Sequence, residues 1–491
     1  HHGSQTEFPP CTTIDSGALA ALRSQASRCS WRCAPTAPPP RAVAPSRWRP
    51  STSKPSSELK FKFRSAQRWW LYKSLQKLED KLSNAGISFK IFNSDPLTAI
   101  KVLAKKYTIN QLYFNKHYEP KEKNTEIEIE KYLEKNQIEV KKYNGNLLQS
   151  PFDVKKKDGT PFQVFTPYWR NAEEQYIKKF NFSKKIPRFK GKKIINDNKK
   201  ILEEIIKPKK KWYQKFEKYW QVGEDQAKLL LKKFINNSIS NYSTNRDIPS
   251  NEGTSKLSPY LAFGEISVQY IFDECYKISK KNIGFRKYIN EIGWREFAHH
   301  LLNHFPQMEN GNLRKQFDNF KWVKDEKKLT KWKMGKTGYP IVDAGMRELY
   351  ETGWMHNRVR MITASFLVKH LRINWIEGEK HFRDSLLDFN MPNNIAGWQW
   401  VAGCGADAAP YFRIFNPILQ GEKFDSEGIY VKKWVKELNN IPKKFIHKPW
   451  ELPKDIANKI NFNLDRDYIN PIVNHEEARQ MALKAFADLK K

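Results

Sequence analysis

The chain has 491 residues, enough for two or three domains and a large core, and holds no run of about eighteen apolar residues that would span a membrane. Its 87 Lys and Arg against 53 Asp and Glu leave +34, which favours a polyanionic partner, nucleic acid first; the plain alternative is a Lys-rich coding bias. Five Cys, with Cys275 and Cys404 isolated, make no disulfide framework and fit a reducing compartment, and Cys29 and Cys33 lack the second pair that a metal site needs.

Residues 1–66 are unlike the rest: rich in Ala, Pro, Ser and Arg, with only Glu7, Asp15 and Glu58 as acids. They begin like the end of an expression tag and continue as a targeting peptide, a frame-altered stretch or a disordered extension, with no packed strand expected. From Arg68 the pattern is regular. Helices are predicted over 69–84, 95–107 and 125–136, and strands over 87–92, 111–114 and 139–143, which together read as a parallel, Rossmann-like α/β sheet in residues 67–180. No Gly-x-Gly-x-x-Gly follows a strand, so a dinucleotide is not expected there. Residues 181–215 form a Lys-rich linker, read as a solvated crossing. Beyond 216 the strand signal stops. Helices are predicted over 224–235, 259–278, 285–303, 341–352, 355–371 and 375–387, an all-helical half in which a cofactor would sit between helices.

Chemistry-bearing residues concentrate in that half. On a helix over 355–371, Asn357, Arg360 and Met361 share a face and Arg358 points away from it. A buried guanidinium needs an acceptor, and Asp388 is the nearest candidate in sequence. Thr254-Ser255-Lys256-Leu257-Ser258-Pro259 places hydroxyls and a Lys before a helix with Ser258 as expected N-cap and Pro259 at its first position; read alone this is a capped helix, or an anion site. Glu291 and Trp294 lie three apart and share a face. His300 and His304 are spaced four apart, but no Glu completes a zinc motif.

Taken together, these stretches with Gly353-Trp354-Met355-His356-Asn357-Arg358, Asn393-Asn394-Ile395-Ala396-Gly397-Trp398-Gln399-Trp400 and the segment from Asp407 to Pro417 resemble the photolyase and cryptochrome flavoproteins, most closely the class I cyclobutane pyrimidine dimer photolyases, from about Arg68 to about Trp450. The resemblance implies an α/β antenna-type domain, an all-α FAD-binding domain over 216–491, and a monomeric, cytoplasmic light-driven DNA repair enzyme acting on damaged double- or single-stranded DNA, away from membranes. Organelle targeting by the first 66 residues is the alternative location.

FAD contacts are implied for Tyr242, Thr254, Ser255, Lys256, Leu257, Ser258, Trp354, Asn357, Arg360, Asp388, Asn390 and Asn394. Asn394 would face the flavin N5, and Arg360 with Asp388 would flank the ring. Asn390 departs from the family pattern, where a second Asp is expected. Glu291, Trp294, Asn357, Met361 and Trp400 would form the dimer cavity, with Glu291 donating a proton or hydrogen bond to the base and Trp400 a second stacking wall. Trp398, Trp375 and Trp322 would carry an electron inward, and Arg246, Arg358 and Arg413 would contact the DNA backbone. A second antenna chromophore, a folate or a deazaflavin, is left open. Competing readings are a cryptochrome-like photoreceptor, against which Trp400 argues, a six-four photolyase, against which Met355 and Met361 argue, and a basic nucleic-acid-binding protein without activity.

Overall fold

The computed structural model describes residues 65–179, 191–208, 211–277, 282–408 and 413–490, together with the backbone of 32–33. The expectations for the remainder of residues 1–64, including Cys29, lie outside these residues.

In the first half, β1 (Arg32–Cys33), α1 (Ser65–Asn84), α2 (Pro96–Lys106), β2 (Gln111–Asn115), α3 (Pro120–Lys135), β3 (Glu139–Tyr143) and α4 (Phe165–Lys179) follow in order. Strands β2 and β3 are parallel, with Gln111 opposite Glu139 and Asn115 opposite Tyr143. Contrary to expectation, residues 32–33 do pair, antiparallel, with Cys33 opposite Leu112. Asp95 caps α2 by accepting the Thr98 N–H over 2.9 Å. Ile100, Leu112, Phe114, Ile129 and Leu133 close a small core between this sheet and its helices.

The strand expected over 87–92 is not formed. Its burial alternates as a strand's would, with Phe89 and Ile91 inside, but no strand lies beside it among the described residues. Side-chain amides take the place of a ladder: Asn196 Oδ1 accepts the Phe89 N–H over 2.7 Å, Asn198 Oδ1 accepts the Ile91 N–H over 2.8 Å, and Asn198 Nδ2 donates back to the Phe89 carbonyl over 2.8 Å. The expected linker is therefore more than a solvated crossing. Leu202 and Ile206 are buried as well, and the Ile206 carbonyl accepts from Arg68 Nε over 2.9 Å.

Helix α1 belongs physically to the helical half. Trp70 lies edge-on to Tyr260 at 4.9 Å and to Trp220 at 5.7 Å, and Gln67 Nε2 donates to the Phe389 carbonyl over 2.9 Å. Burying each such indole contributes about 2–3 kcal/mol, so α1 anchors the two halves together.

The second half is helical: α5 (Glu224–Asn237), α6 (Ser258–Phe263), α7 (Val268–Tyr276), α8 (Ile283–His304), α9 (Pro340–Thr352), α10 (Asn357–Ser365), α11 (Trp375–Ser385), α12 (Met391–Ala402) and, near the end, α13 (His475–Ala487) are its main elements. The single helix expected over 259–278 is split, because Gly264 takes φ +67° and Ser267 starts α7 by accepting the Tyr270 N–H over 3.1 Å. Helix α10 runs on into a π-type turn, Phe366–His370. Helix α12 was not foreseen as a helix; Asn390 opens it by accepting the Asn393 N–H over 3.3 Å, with Pro392 in its first turn.

Candidate flavin and substrate cavity

Helices α6, α8, α10, α11 and α12 enclose a cavity of about 410 Å3. Each contributes through a local device. Asn282, Asn374 and Asn390 cap α8, α11 and α12. Helix α10 is capped by His356, whose Nδ1 accepts the Arg358 N–H over 3.2 Å while its own backbone N–H goes to Glu348 Oε2 over 3.1 Å. Burial pulls the His356 imidazole down to about 4, so it is neutral, with its proton on Nε2.

Of the residues expected to contact flavin, Tyr242, Ser255, Leu257, Ser258, Asn357, Arg360, Asp388, Asn390 and Asn394 line this cavity. Thr254, Lys256 and Trp354 are not among its lining residues. Ser258 is not the N-cap; Leu257 holds that position, and the Ser258 hydroxyl accepts from Trp354 Nε1 over 3.2 Å. Lys256 adopts φ +51°, with its ammonium 5.8 Å from the Trp354 ring. Asn357, Arg360 and Met361 face inward and Arg358 faces away, as the helical spacing predicts.

Arg360 Nη2 reaches Asp388 Oδ2 over 2.7 Å and its Nε donates to the Met355 carbonyl over 2.7 Å. The other Asp388 oxygen is buried and has no partner among the described residues. A lone buried carboxylate oxygen in a cavity wall calls for a donor from a ligand, and an imide N–H or a ribityl hydroxyl satisfies it. Asn394 Nδ2 donates to Glu379 Oε1 over 3.0 Å and to the Glu379 carbonyl over 3.3 Å, so the amide oxygen is what Asn394 has left for a ligand. Glu379 is itself held by Arg383 Nε over 2.8 Å. This buried carboxylate, which orients Asn394, was missed from sequence; its only signal was an Arg four residues on.

Glu291, Trp294 and Met361 line the same cavity. Glu291 is held by Arg246, whose Nη1 donates to its Oε1. Trp294 is stacked on Phe165 at 3.8 Å, a backing ring outside the cavity wall. Trp400 is not in the main wall. It lines a small adjoining pocket with Arg413, Ser365 and Lys369, and Val401 lines both spaces. The expected pair of facing indoles is thus not brought together. Residues 409–412 lie outside the described residues.

Trp398 lines the cavity, and its ring packs so closely on α11 that a Cβ on Gly378 would come within 2.1 Å of it. Its ring neighbours are Phe382 at 5.0 Å and Trp332 at 6.2 Å. Trp375 is buried with its Nε1 donating to Asn312 Oδ1 over 2.9 Å, and Trp322 is half-buried against Phe320 at 4.5 Å. No direct ring contact joins Trp398, Trp375 and Trp322. His300 and His304 serve structure: His300 faces the Pro151 and Phe162 carbonyls and His304 the Pro151 carbonyl. No helix among the described residues is long and apolar enough to cross a membrane.

Residues 288–488 match the family described as the FAD binding domain of DNA photolyase, and residues 45–188 match DNA photolyase. A deoxyribodipyrimidine photo-lyase of Agrobacterium fabrum is 42% identical, covering 87% of this chain and 89% of that protein. Cryptochrome-2 of Arabidopsis thaliana is 33% identical over 88% of this chain and 73% of its own length. Among solved structures, a class III photolyase from Agrobacterium tumefaciens superposes with a TM-score of 0.78 at 40% identity, covering 87% of this chain and 89% of that one. That neighbour is named a class III photolyase, whereas the sequence resemblance is to class I. The match of both family descriptions, the relatives' identity and coverage, and a cavity whose polar groups fit a flavin agree: the chain belongs to the DNA photolyase and cryptochrome family and carries its FAD-binding domain.

Proposed function

We propose that the protein is a light-driven DNA repair enzyme that splits a cyclobutane pyrimidine dimer flipped out of the strand. The observation that carries this reading is that one cavity is lined both by flavin-type groups, Asn394 and the Arg360 and Asp388 pair, and by a base-reading pair, Glu291 and Trp294. Cofactor and substrate in one water-poor space need no relay between them.

FAD, when bound, supplies the electron that light drives into the substrate. The chain's own part is to bind, orient and exclude water. Trp294, backed by Phe165, offers one rigid face for an extruded base, a contact worth about 1–3 kcal/mol. Glu291 offers its carboxyl oxygens to the base edge once Arg246 releases it. Arg360 and Asp388 fix the flavin's polar edge, and Asn394, oriented by Glu379, presents its amide oxygen to the ring. Arg246, Arg358 and Arg413 serve the DNA backbone, in keeping with the charge of +34. Trp398 is the inner indole for refilling the flavin with electrons, with Trp375 and Trp322 as the outer members. Class III is the closer subgroup by the name of the Agrobacterium structure. A folate or deazaflavin antenna remains a further expectation of the same reading.

A photoreceptor is the second reading, and one observation favours it: Trp400, the indole expected to mark repair, stands outside the main cavity wall. Illumination of the flavin-loaded protein with an oligonucleotide carrying one thymine dimer decides between them. Loss of the dimer in light and not in darkness is expected; an intact dimer under reducing conditions leaves the photoreceptor.

A further inference from the structure

We propose that Asp247 is a specificity-determining residue that exchanges partners between Arg246 and Arg358 when a base enters the cavity, so that backbone contact is strengthened only on damaged DNA. The proposal rests on the repair reading above. Asp247 follows the short helix Tyr242–Asn245, and its carboxylate stands between two guanidinium groups. Arg358 Nη2 is 2.9 Å from Asp247 Oδ2, and Arg246 Nε is 3.6 Å from Asp247 Oδ1. Arg246 is at the same time hydrogen-bonded to Glu291 in the cavity wall. Arg358 lies over the Phe424 ring at 4.4 Å and has a buried Nε without a partner.

Two arginines and two carboxylates therefore form a linear, net-neutral chain, Glu291 to Arg246 to Asp247 to Arg358. Arg246 and Arg358 are only 12% and 19% exposed at the side chain, so their pairs exceed surface ion pairs in strength and leaving one guanidinium unpaired is costly. Undamaged duplex brings no base for Glu291. Arg246 stays on Glu291, Arg358 stays on Asp247, and the phosphates must compete for both. A base that claims Glu291 strips Arg246 of its partner, and Asp247, already 3.6 Å away, takes it over. Asp247 then divides its charge between two full ion pairs, Oδ1 with Arg246 and Oδ2 with Arg358, and its weakened hold lets Arg358 turn to a phosphate. Base recognition and backbone contact are coupled through one carboxylate.

The test is equilibrium binding of the flavin-loaded full chain to a duplex with one thymine dimer and to the same duplex undamaged, across a salt series, for wild type, Asp247→Asn and Asp247→Glu, with flavin content as the check on folding. With Asp247→Asn, Arg358 is free at all times. The expected result is undamaged DNA bound about three- to tenfold tighter, a salt dependence steeper by about one phosphate contact, and a lower preference for the dimer. Asp247→Glu keeps the charge and should keep most of the preference. Equal weakening of both duplexes by Asp247→Asn would mean that Asp247 merely orients the arginines, and the proposal falls. An unchanged preference beside a dimer-selective wild type removes the proposal alone; a wild type without preference removes the repair reading as well.

Discussion

Asn394 donates an amide hydrogen to Glu379 Oε1 over 3.0 Å, and Glu379 is almost wholly buried beside Arg383. The pair crosses from α11 to α12 and fixes which atoms of Asn394 the cavity sees. Glu379→Gln keeps the shape and the bond from Asn394 Nδ2 to the residue 379 carbonyl, but lets the amide of residue 379 donate as well as accept, so Asn394 is held less firmly in one orientation. It also leaves Arg383 with a neutral partner. A stability loss of about 1–3 kcal/mol is expected, with a shifted flavin absorption band and faster reoxidation of reduced flavin in air. Denaturant unfolding and stopped-flow spectra measure both.

The Arg360 and Asp388 pair supports flavin retention through the second Asp388 oxygen, which has no partner among the described residues. Asp388→Asn weakens the ion pair and replaces part of the acceptor surface by a donor. Flavin affinity should fall by about tenfold or more, the equivalent of one charge-assisted hydrogen bond. Ultrafiltration of the purified variant, followed by visible absorbance of the retained fraction, reads this directly; full retention would detach Asp388 from the cofactor.

Trp398→Phe should slow light-driven reduction of oxidised flavin while enzyme reduced chemically in advance still repairs. The indole lines the cavity and is buried against Phe382 at 5.0 Å, so Phe preserves packing and removes the easily oxidised ring. Photoreduction rates under steady illumination provide the measurement. Unchanged rates would move the entry of electrons elsewhere.

Glu265 gives a pH signature remote from the cavity. Its carboxyl is pushed up to about 7 by burial, against the opposing effect of hydrogen bonds from Ser74, the Gly223 backbone and Trp70, whose Nε1 donates to it over 3.1 Å. The folded state binds this proton more tightly than the unfolded state, whose carboxyl has its ordinary value near 4.3. Its stabilising protonation is therefore complete below about pH 4 and is lost as pH rises through 7, a change on the order of 2–3 kcal/mol. Glu265→Gln should flatten stability between pH 5 and pH 8 and melt higher than wild type at pH 8. Parallel melting curves at the two pH values test it; identical pH dependence in both proteins excludes Glu265 as the source.

What the sequence disclosed follows from physics that is local. The caps and spacing of α2, α8, α9 and α11 are written in neighbouring residues, and so is the face that unites Asn357, Arg360 and Met361. Helix α12 hid because Asn393, Asn394 and Gly397 have loop-like preferences; its Asn390 cap and its packing on α11 override them. Residues 87–92 have strand periodicity, but a ladder needs a neighbour, and periodicity cannot tell a strand partner from the amides of Asn196 and Asn198. The Arg246 bond to Glu291 and the Glu379 bond to Asn394 join residues 45 and 15 positions apart. Such pairings depend on how helices meet, which composition and spacing do not record.

Trp294 and Trp400 should separate in kind, because the structure puts them in different spaces. Trp294 lines the main cavity with a ring stacked behind it at 3.8 Å. Trp294→Ala therefore removes a preset stacking face and leaves Phe165 set back from the base, and dimer affinity should fall by about 1–3 kcal/mol. Trp400 lines the adjoining pocket with Arg413 and Lys369, so Trp400→Ala acts on the base only through Val401 and the end of α12. If the small pocket stays separate in the complex, Trp400→Ala should cost well under half as much as Trp294→Ala. Undamaged duplex should bind both variants as it binds wild type, since that affinity comes from phosphate contacts and falls with salt. Binding isotherms on matched damaged and undamaged duplexes distinguish the cases. A loss at Trp400 equal to that at Trp294 would mean that the two spaces merge when a dimer enters, with Val401 as the partition that moves.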